Sequence, residues 1–340
     1  FYGCCVKTYS SANEIAAHVN AYAPQIIVLF SAYLLVTDRV MGHRRLDRLL
    51  HEQTKRGVPL LTSDPFLGIA GTLRMGDLEA PGMVFDDTLA RRLPLLFKAL
   101  FCRVMRSTER VLGDVPKIGS TVAEVPGGCF RGFNNGHGIT LHASGNEHSR
   151  LPPAPYWLFI LSGLDLTLIE SRFGVDKAVS LAKRALDCAR EQQKFVVAVF
   201  PETLARALHY RPHDHVALIT NASIEHYHGL LRGAERVFYW NMISHSVSYR
   251  LFNDKPAHFL GRGHVQAFIP KLHGLAIEHY YGGAEPPLLD PEKDGLRERE
   301  LNVCWETQQS SLAEKLRAVG RYPTSGTLMH GLLRRSGHTV

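Results

Sequence analysis

The sequence lacks most of the short motifs that would assign a chemistry directly. It has no Walker A loop, no G-x-G-x-x-G, no H-E-x-x-H and no G-x-S-x-G, which removes the simplest routes to a P-loop nucleotide enzyme, a zincin or a serine hydrolase. Its six cysteines, Cys4, Cys5, Cys102, Cys129, Cys188 and Cys304, include no C-x-x-C pair. Neither a zinc ribbon nor a redox pair is expected, and reduced buried thiols in a cytoplasmic protein fit better. No run of about 18 apolar residues is present, so no transmembrane helix is predicted. Basic residues are not interleaved with aromatics, so no nucleic-acid partner is expected. Among 18 histidines, His137, His142 and His148 share one loop-like stretch and His209, His213 and His215 another. Only His213-x-His215 has even loose ligand spacing, and no metal is expected.

What is present describes a globular protein of roughly two domains. The 340 residues are 45% hydrophobic and 21% charged, which allows a sizeable core, and the net charge is +7. A dispersed positive balance suits phosphorylated substrates or peripheral contact with an anionic membrane face. The chain begins at Phe1, without Met. It reads as a fragment, with any targeting segment ahead of it left open.

Strand and helix patterns alternate. Phe1–Val6 reads as a short apolar strand, and Ser10–Glu14 carries a helix-start signal. Gln25–Phe30 is a continuous apolar run of the kind buried in a parallel sheet. His43–Lys55 has helical spacing and Val58–Leu61 is a further strand, completing a βαβαβ pattern. Thr88–Val111 reads as one or two helices, with Pro94 near a start or kink. Gly119–Pro155 is rich in Gly, Pro, Asn and Ser, and a domain boundary is placed there. The rhythm then restarts, with strands at Tyr156–Leu161, Phe195–Phe200, Val216–Thr220, Arg236–Trp240 and Ala257–Leu260. Helices are predicted at Val175–Gln192, from Glu202 through Leu208, and at Ile224–Arg232, Val247–Phe252 and Leu301–Leu316.

Ligands of doubly wound sheets bind beyond the carboxyl ends of strands, so the residues that follow each strand are the site candidates. After Arg236–Trp240 come Asn241, Ser244, His245, Ser246 and Ser248. Small hydroxyls and amides at a helix start suit a phosphate or a carboxylate, and helix capping by Ser244 or Ser246 is compatible with that role. After Tyr156–Leu161 come Ser162 and Gly163, suited to close approach of a donor. Asp165 follows at the start of the second domain's first loop, as a candidate catalytic carboxylate.

The stretch from Ala222-Ser223-Ile224-Glu225 through Gly229–Val237 and Ser244-His245-Ser246 to Leu251–Pro256 resembles the donor half of GT-B glycosyltransferases. It is closest to bacterial capsule and lipopolysaccharide transferases that use CMP-activated Kdo or sialic acid. The resemblance implies a serine turn that binds donor phosphate and a helix that ends before a Lys-Pro pair, here Lys255-Pro256. Those families carry His-Pro after the preceding strand, where this chain has Phe200-Pro201-Glu202. Glu202 is retained as a donor-site candidate, with Arg211 and His213 as substitute positive charges. A polar surface loop is the alternative for that segment.

Thr62-Ser63-Asp64-Pro65-Phe66-Leu67-Gly68 resembles an acidic segment of capsule Kdo transferases. Asp64 is therefore a candidate general base or nucleophile toward an acceptor hydroxyl, with an Asx-Pro turn as the alternative.

The expected fold is α/β, GT-B, with two Rossmann-like doubly wound domains facing across a cleft. The acceptor domain spans about 1–150 and the nucleotide-sugar domain about 151–290. A C-terminal helix and tail, 291–340, pack back on the first domain, as the resemblance implies. The partners implied are a nucleotide-sugar donor, which is a substrate rather than a cofactor, and a surface glycan or glycolipid acceptor. The expected location is cytoplasmic or peripheral at the inner membrane face. A sugar-nucleotide epimerase, a polysaccharide pyruvyltransferase and a non-catalytic binding protein derived from a transferase remain as alternatives.

Overall fold

A computed structural model describes residues 9–29, 32–37, 40–63, 66, 69–79, 93–115, 117–118, 152, 155–211, 215–222, 224–242, 244–252, 254–261, 263–264, 269–281, 283–319 and 334. The strand read at Phe1–Val6 and most of the loop-rich stretch from Gly119 lie outside these residues. The chain divides into two compact units. The first comprises Phe1–Leu78, Arg92–Ile139 and Ala318–Val340, and the second Glu79–Arg91 and Thr140–Arg317.

In the first unit, helix α1 (Ala12–Tyr22) begins where the sequence signals it. Ser11 Oγ accepts from the Glu14 amide at 3.3 Å, and the Glu14 carboxylate accepts from the Ser10 amide at 2.9 Å. Strands β1 (Ile27–Leu29), β2 (Leu60–Ser63) and β3 (Lys117–Ile118) pair in parallel in the order β1-β2-β3. A short helix, α2 (Ala32–Thr37), follows β1; its apolar, partly β-branched sequence gave no helical period to read. Helix α3 (His43–Lys55) buries Leu46, Leu49, Leu50 and Gln53, the three- and four-residue spacing of an amphipathic face. Gln53 Nε2 donates to Asn20 Oδ1 at 2.7 Å, tying α3 to α1. Helix α4 (Pro94–Leu112) starts with Pro94 in its first turn, where a missing amide costs nothing. It packs on α2 and α3, and the Tyr33 hydroxyl donates to the Glu109 carboxylate.

The second unit carries six parallel strands: β4 (Tyr156–Ile160), β5 (Phe195–Val199), β6 (Val216–Ile219), β7 (Arg236–Tyr239), β8 (Ala257–Leu260) and β9 (Leu288–Leu289). Their order is β6-β5-β4-β7-β8-β9. In chain order from β4 this is 3-2-1-4-5-6, the Rossmann arrangement, whose order reverses between β4 and β7. Every residue of β4 is buried, as expected of a strand covered on both faces. Trp157 and Phe159 join one core with helices α5 (Gly163–Phe173) and α6 (Val175–Glu191). Tyr156, Leu158 and Ile160 join the other, with α8 (Ile224–Gly233), α9 (His245–Phe252) and α10 (Pro270–Tyr281). The two-residue alternation of a strand thus divides its side chains between two layers. Phe159 stacks on Phe238 with ring centroids 4.5 Å apart, at the centre of the first layer.

The remaining helices are α7 (Glu202–Leu208), α11 (Pro291–Asp294) and α12 (Glu298–Val319). Where its side chains are described, α12 meets the second unit. Leu301 is in that unit's core, Glu298 pairs with Lys194 at 2.7 Å, and Asn302 Oδ1 accepts from Arg236 at 2.6 Å. Its side chains beyond Gln309 lie outside the described residues. Among the described residues no helix is long and apolar enough to cross a membrane.

Candidate functional site

Strands β4 and β7 are adjacent and parallel, and the segments leaving their carboxyl ends meet. Ser162 follows β4 and caps α5. Its Oγ accepts from the Asp165 amide at 3.1 Å, while Asp165 Oδ2 accepts from the Ser162 amide at 3.3 Å. This reciprocal capping box satisfies two amides that the helix cannot. Asp165 therefore lies in the first turn of α5, not in a loop. The same Oδ2 accepts from Asn241 Nδ2 at 2.5 Å. Asn241 follows β7, so one carboxylate oxygen joins the two segments at the point where strand order reverses.

Asp165 is buried, and burial raises its pKa, opposed by the hydrogen bonds from Ser162 and Asn241. A carboxylate engaged in this way orients its neighbours. Gly163, the first residue of α5, is exposed, and a Cβ there would meet nothing within 4 Å.

The second helix start belongs to α9. Ser244 Oγ and Ser246 Oγ are 2.7 Å apart. Ser246 is buried, and its hydroxyl also bonds the Tyr227 phenol, whose pKa burial raises. Ser244 is half-buried. Within the serine run, Ser246 faces the interior and Ser244 the edge. His245 and Ser248 lie on α9, with side chains outside the described residues. Helices that follow parallel strands start at the carboxyl edge, so the positive ends of α5 and α9 flank the Asp165–Asn241 bridge.

The position of α9 is set from its far end. Arg250 is fully buried. Its Nη1 donates to the Leu231 and Ala234 carbonyls at 2.8 and 2.9 Å, and its Nη2 to those of Glu235 and Pro256, both at 3.0 Å. Arg250 thereby fixes α9 to the end of α8 and to the turn entering β8. Lys255 Nζ donates to the Arg232 carbonyl at 2.7 Å, so the lysine of the Lys-Pro pair serves the end of α8.

The other sequence candidates follow β5 and β2. Glu202 is exposed in the first turn of α7 and pairs with Arg206 one turn later. Arg211 is exposed beyond α7. His213 and Asp64 lie outside the described residues; Asp64 directly follows β2. Among the described residues no group of three His, Cys, Asp or Glu side chains could hold a metal ion.

Sequence reasoning passed over the carboxyl end of β8. His264 follows it, in a turn whose amide donates to the Gly261 carbonyl at 3.0 Å. The His264 ring lies 6.2 Å from that of buried His273 on α10. Burial, followed by the neighbouring His273, lowers the His264 pKa to about 4, while the Leu260 carbonyl pulls the other way. Its position just after a strand was the available signal.

The sequence matches no protein-family model and no curated protein. Solved structures do match. LpCGTa in complex with UDP aligns over 100% of this chain and 84% of its own, at 11% identity and a TM-score of 0.51. The fold is GT-B. Two further solved structures score lower. Os79 from O. sativa, in complex with UDP and deoxynivalenol-3-glucoside, covers 96% of this chain and 81% of its own at 12% identity, with a TM-score of 0.44. The UDP-GlcNAc 2-epimerase of Methanocaldococcus jannaschii, in complex with UDP-GlcNAc and UDP, covers 91% and 77% at 12% identity, with a TM-score of 0.39.

Proposed function

We propose that this GT-B protein transfers a sugar from a nucleotide-activated donor to a glycan or glycolipid acceptor. The donor phosphate would lie at the carboxyl edge between β4 and β7. The observation that carries this reading is the Asn241–Asp165 bridge, which joins the start of α5 to the segment leaving β7 at the switch point of the sheet. The amides of the first turns of α5 and α9 that no capping bond takes, with the Ser244 hydroxyl, would hold the phosphate oxygens. The two helix dipoles would stabilise negative charge on the departing nucleotide. Binding needs no metal on this reading, because fixed dipoles and basic side chains supply the positive potential.

In this scheme Asp165 is a positioning residue for Ser162 and Asn241. The proton acceptor for the incoming hydroxyl would be Asp64, after β2. Arg211 and His213 would supply positive charge near the nucleotide, and Glu202 would accept from a hydroxyl of the donor. The serine turn and Lys255-Pro256 resemble CMP-sugar transferases, so CMP-activated Kdo or sialic acid is the first donor to test. UDP-sugars come second, since LpCGTa was solved with UDP.

Thermal shift and calorimetric titration against CMP-, UDP-, GDP- and ADP-sugars test the reading. It expects stabilisation by one nucleotide class and loss of that response in Ser244→Ala. No response to any nucleotide would sink it. A response to phosphoenolpyruvate alone would assign a pyruvyltransferase, and nucleotide binding without turnover a binding protein.

A further inference from the structure

Helix α4 (Pro94–Leu112) in the first unit presents a face that is exposed and that no described residue of its own unit covers. Leu93, at its amino end, is 51% exposed, Leu95 72%, Leu96 45% and Leu100 40%. Arg103, Arg106 and Arg110 are exposed further along the helix. At about 100° per residue, Leu95, Leu96, Leu100 and the three arginines fall within an arc of about 140°. Cys102, Met105, Thr108 and Leu112 occupy the opposite side and are buried.

The outward arc holds no acidic residue. Glu109, the one acidic residue of α4, is half-buried and bonded to Tyr33. No carboxylate among the described residues pairs with Arg103 or Arg110. Arg106 Nε turns back to the Cys102 carbonyl at 3.2 Å. The turn Met75–Asp77 packs on this helix, with Met75 46% exposed, and Lys98 Nζ donates to the Leu78 carbonyl beside it.

We propose that this face of α4 docks on an anionic lipid bilayer. The leucines of the first two turns enter the acyl boundary and the arginines beyond them pair with lipid phosphates. Apolar and basic side chains are segregated along the helix axis, from Leu95 to Arg110 over about 22 Å, so the helix enters the interface leucine end first. A surface of this kind gains from burial of apolar area and from attraction of cations to anionic headgroups. A second copy of the chain on the same face would cover the leucines but bring no carboxylate to the arginines. The overall charge of +7 favours the same partner. This docking does not depend on which sugar, if any, the protein transfers.

Sedimentation of the full chain with vesicles tests it, using phosphatidylcholine alone and phosphatidylcholine with about 30 mol % phosphatidylglycerol. The wild type is expected to bind the anionic vesicles, more weakly at high salt. Leu95→Asp with Leu96→Asp is expected to lower that binding by about tenfold or more. Arg103→Glu with Arg110→Glu is expected to remove the preference for anionic lipid. Leu95→Ser with Leu96→Ser serves if the aspartates disturb folding, which circular dichroism reports. Absence of wild-type binding would overturn the proposal, as would vesicle binding unchanged in these variants. Self-association of the free protein through these leucines, without vesicle binding, would assign the face to a second copy and overturn it equally. Nucleotide titrations on the same samples keep this outcome separate from that of the donor site.

Discussion

Asn241 Nδ2 stands 2.5 Å from Asp165 Oδ2, so an amide after β7 and a carboxylate in the first turn of α5 hold each other across the switch point. The same oxygen takes the Ser162 hydroxyl at 2.8 Å, which couples the bridge to the helix cap. Asp165→Ala is expected to lower stability by about 1–2 kcal/mol, the scale of a lost cap plus a buried hydrogen bond. Asn241→Asp sets two carboxylates at hydrogen-bond distance and is expected to be worse at neutral pH than Asn241→Ala. Adding Asp165→Asn to Asn241→Asp rebuilds the pair with its polarity reversed and should recover most of the loss. Urea unfolding of the wild type, Asp165→Asn, Asn241→Asp and the double variant measures the coupling. Strict additivity of the single changes would show that the bridge does not form.

The proposed donor site gives Ser244 a binding role and Ser246 a packing role. Ser246 is buried against Ser244 and the Tyr227 phenol, so Ser246→Ala is expected to lower the unfolding midpoint with a small effect on donor affinity. Ser244 is half-buried at the edge, so Ser244→Ala is expected to weaken donor binding by about tenfold with little effect on stability, the value of one hydrogen bond to a charged group. Titration with the responding nucleotide and thermal unfolding give the two readouts. The opposite pattern would exchange the two roles, and no loss of binding in either variant would move the phosphate away from the start of α9.

The second unit was largely legible because its strands are short apolar runs bounded by polar turns, and β8 at Ala257–Leu260 was read to the residue. Helix α5 was not, since Ser162-Gly163 resembles a loop and Thr167 and Ser171 weaken the helical pattern. The S-x-x-D capping box spanning Ser162 and Asp165 was the overlooked start signal. Helix α10 was missed for a related reason, with Pro270 at its first position marking a start where a break is the easier reading. Asn241 could be named as a site residue from its place after a strand. Asp165 is a candidate for the same reason, but the pairing of the two could not be read, because the contact joins positions 76 apart through strand order. Arg250 gave no signal at all, as nothing in sequence distinguishes an arginine that serves buried carbonyls from one that faces water.

Stability should fall as the solution is acidified below neutral pH. Burial lowers the pKa of His258, with Arg236 and Arg250 acting in the same direction, and it lowers those of His264 and His273, the last opposed by Glu285. A histidine neutral in the fold but protonated when unfolded binds more protons in the unfolded state, so stability is lost as pH drops. For His264 the window runs from its ordinary 6.5 down to about 4. Asp165, whose pKa is raised, acts with the opposite sign, in the carboxylate range. Unfolding midpoints between pH 7.5 and pH 5 are expected to decline, and His264→Asn to flatten the slope. An unchanged slope in that variant would place the acid sensitivity elsewhere.

Arg250 couples α9 to the rest of the sheet, and its geometry predicts how substitutions rank. The guanidinium reaches four carbonyls at once, on Leu231, Ala234, Glu235 and Pro256, because its donors diverge in a plane. Two of these carbonyls lie at or just beyond the end of α8, where a positive charge also meets the negative end of the helix dipole. An ammonium is a compact charge on a single stem, so Arg250→Lys can serve one end of this set and leaves the other unmet. Arg250→Met removes the charge and strands all four carbonyls in a buried site. Both variants are expected to lose stability, Arg250→Met by about 3–5 kcal/mol and Arg250→Lys by somewhat less. Since α9 begins with the serine turn, donor affinity measured well below the unfolding transition should also fall in Arg250→Lys, by more than in a surface control of equal stability loss. Urea midpoints and nucleotide titration at low temperature check the two effects together, and a wild-type midpoint in Arg250→Lys would remove Arg250 from this role.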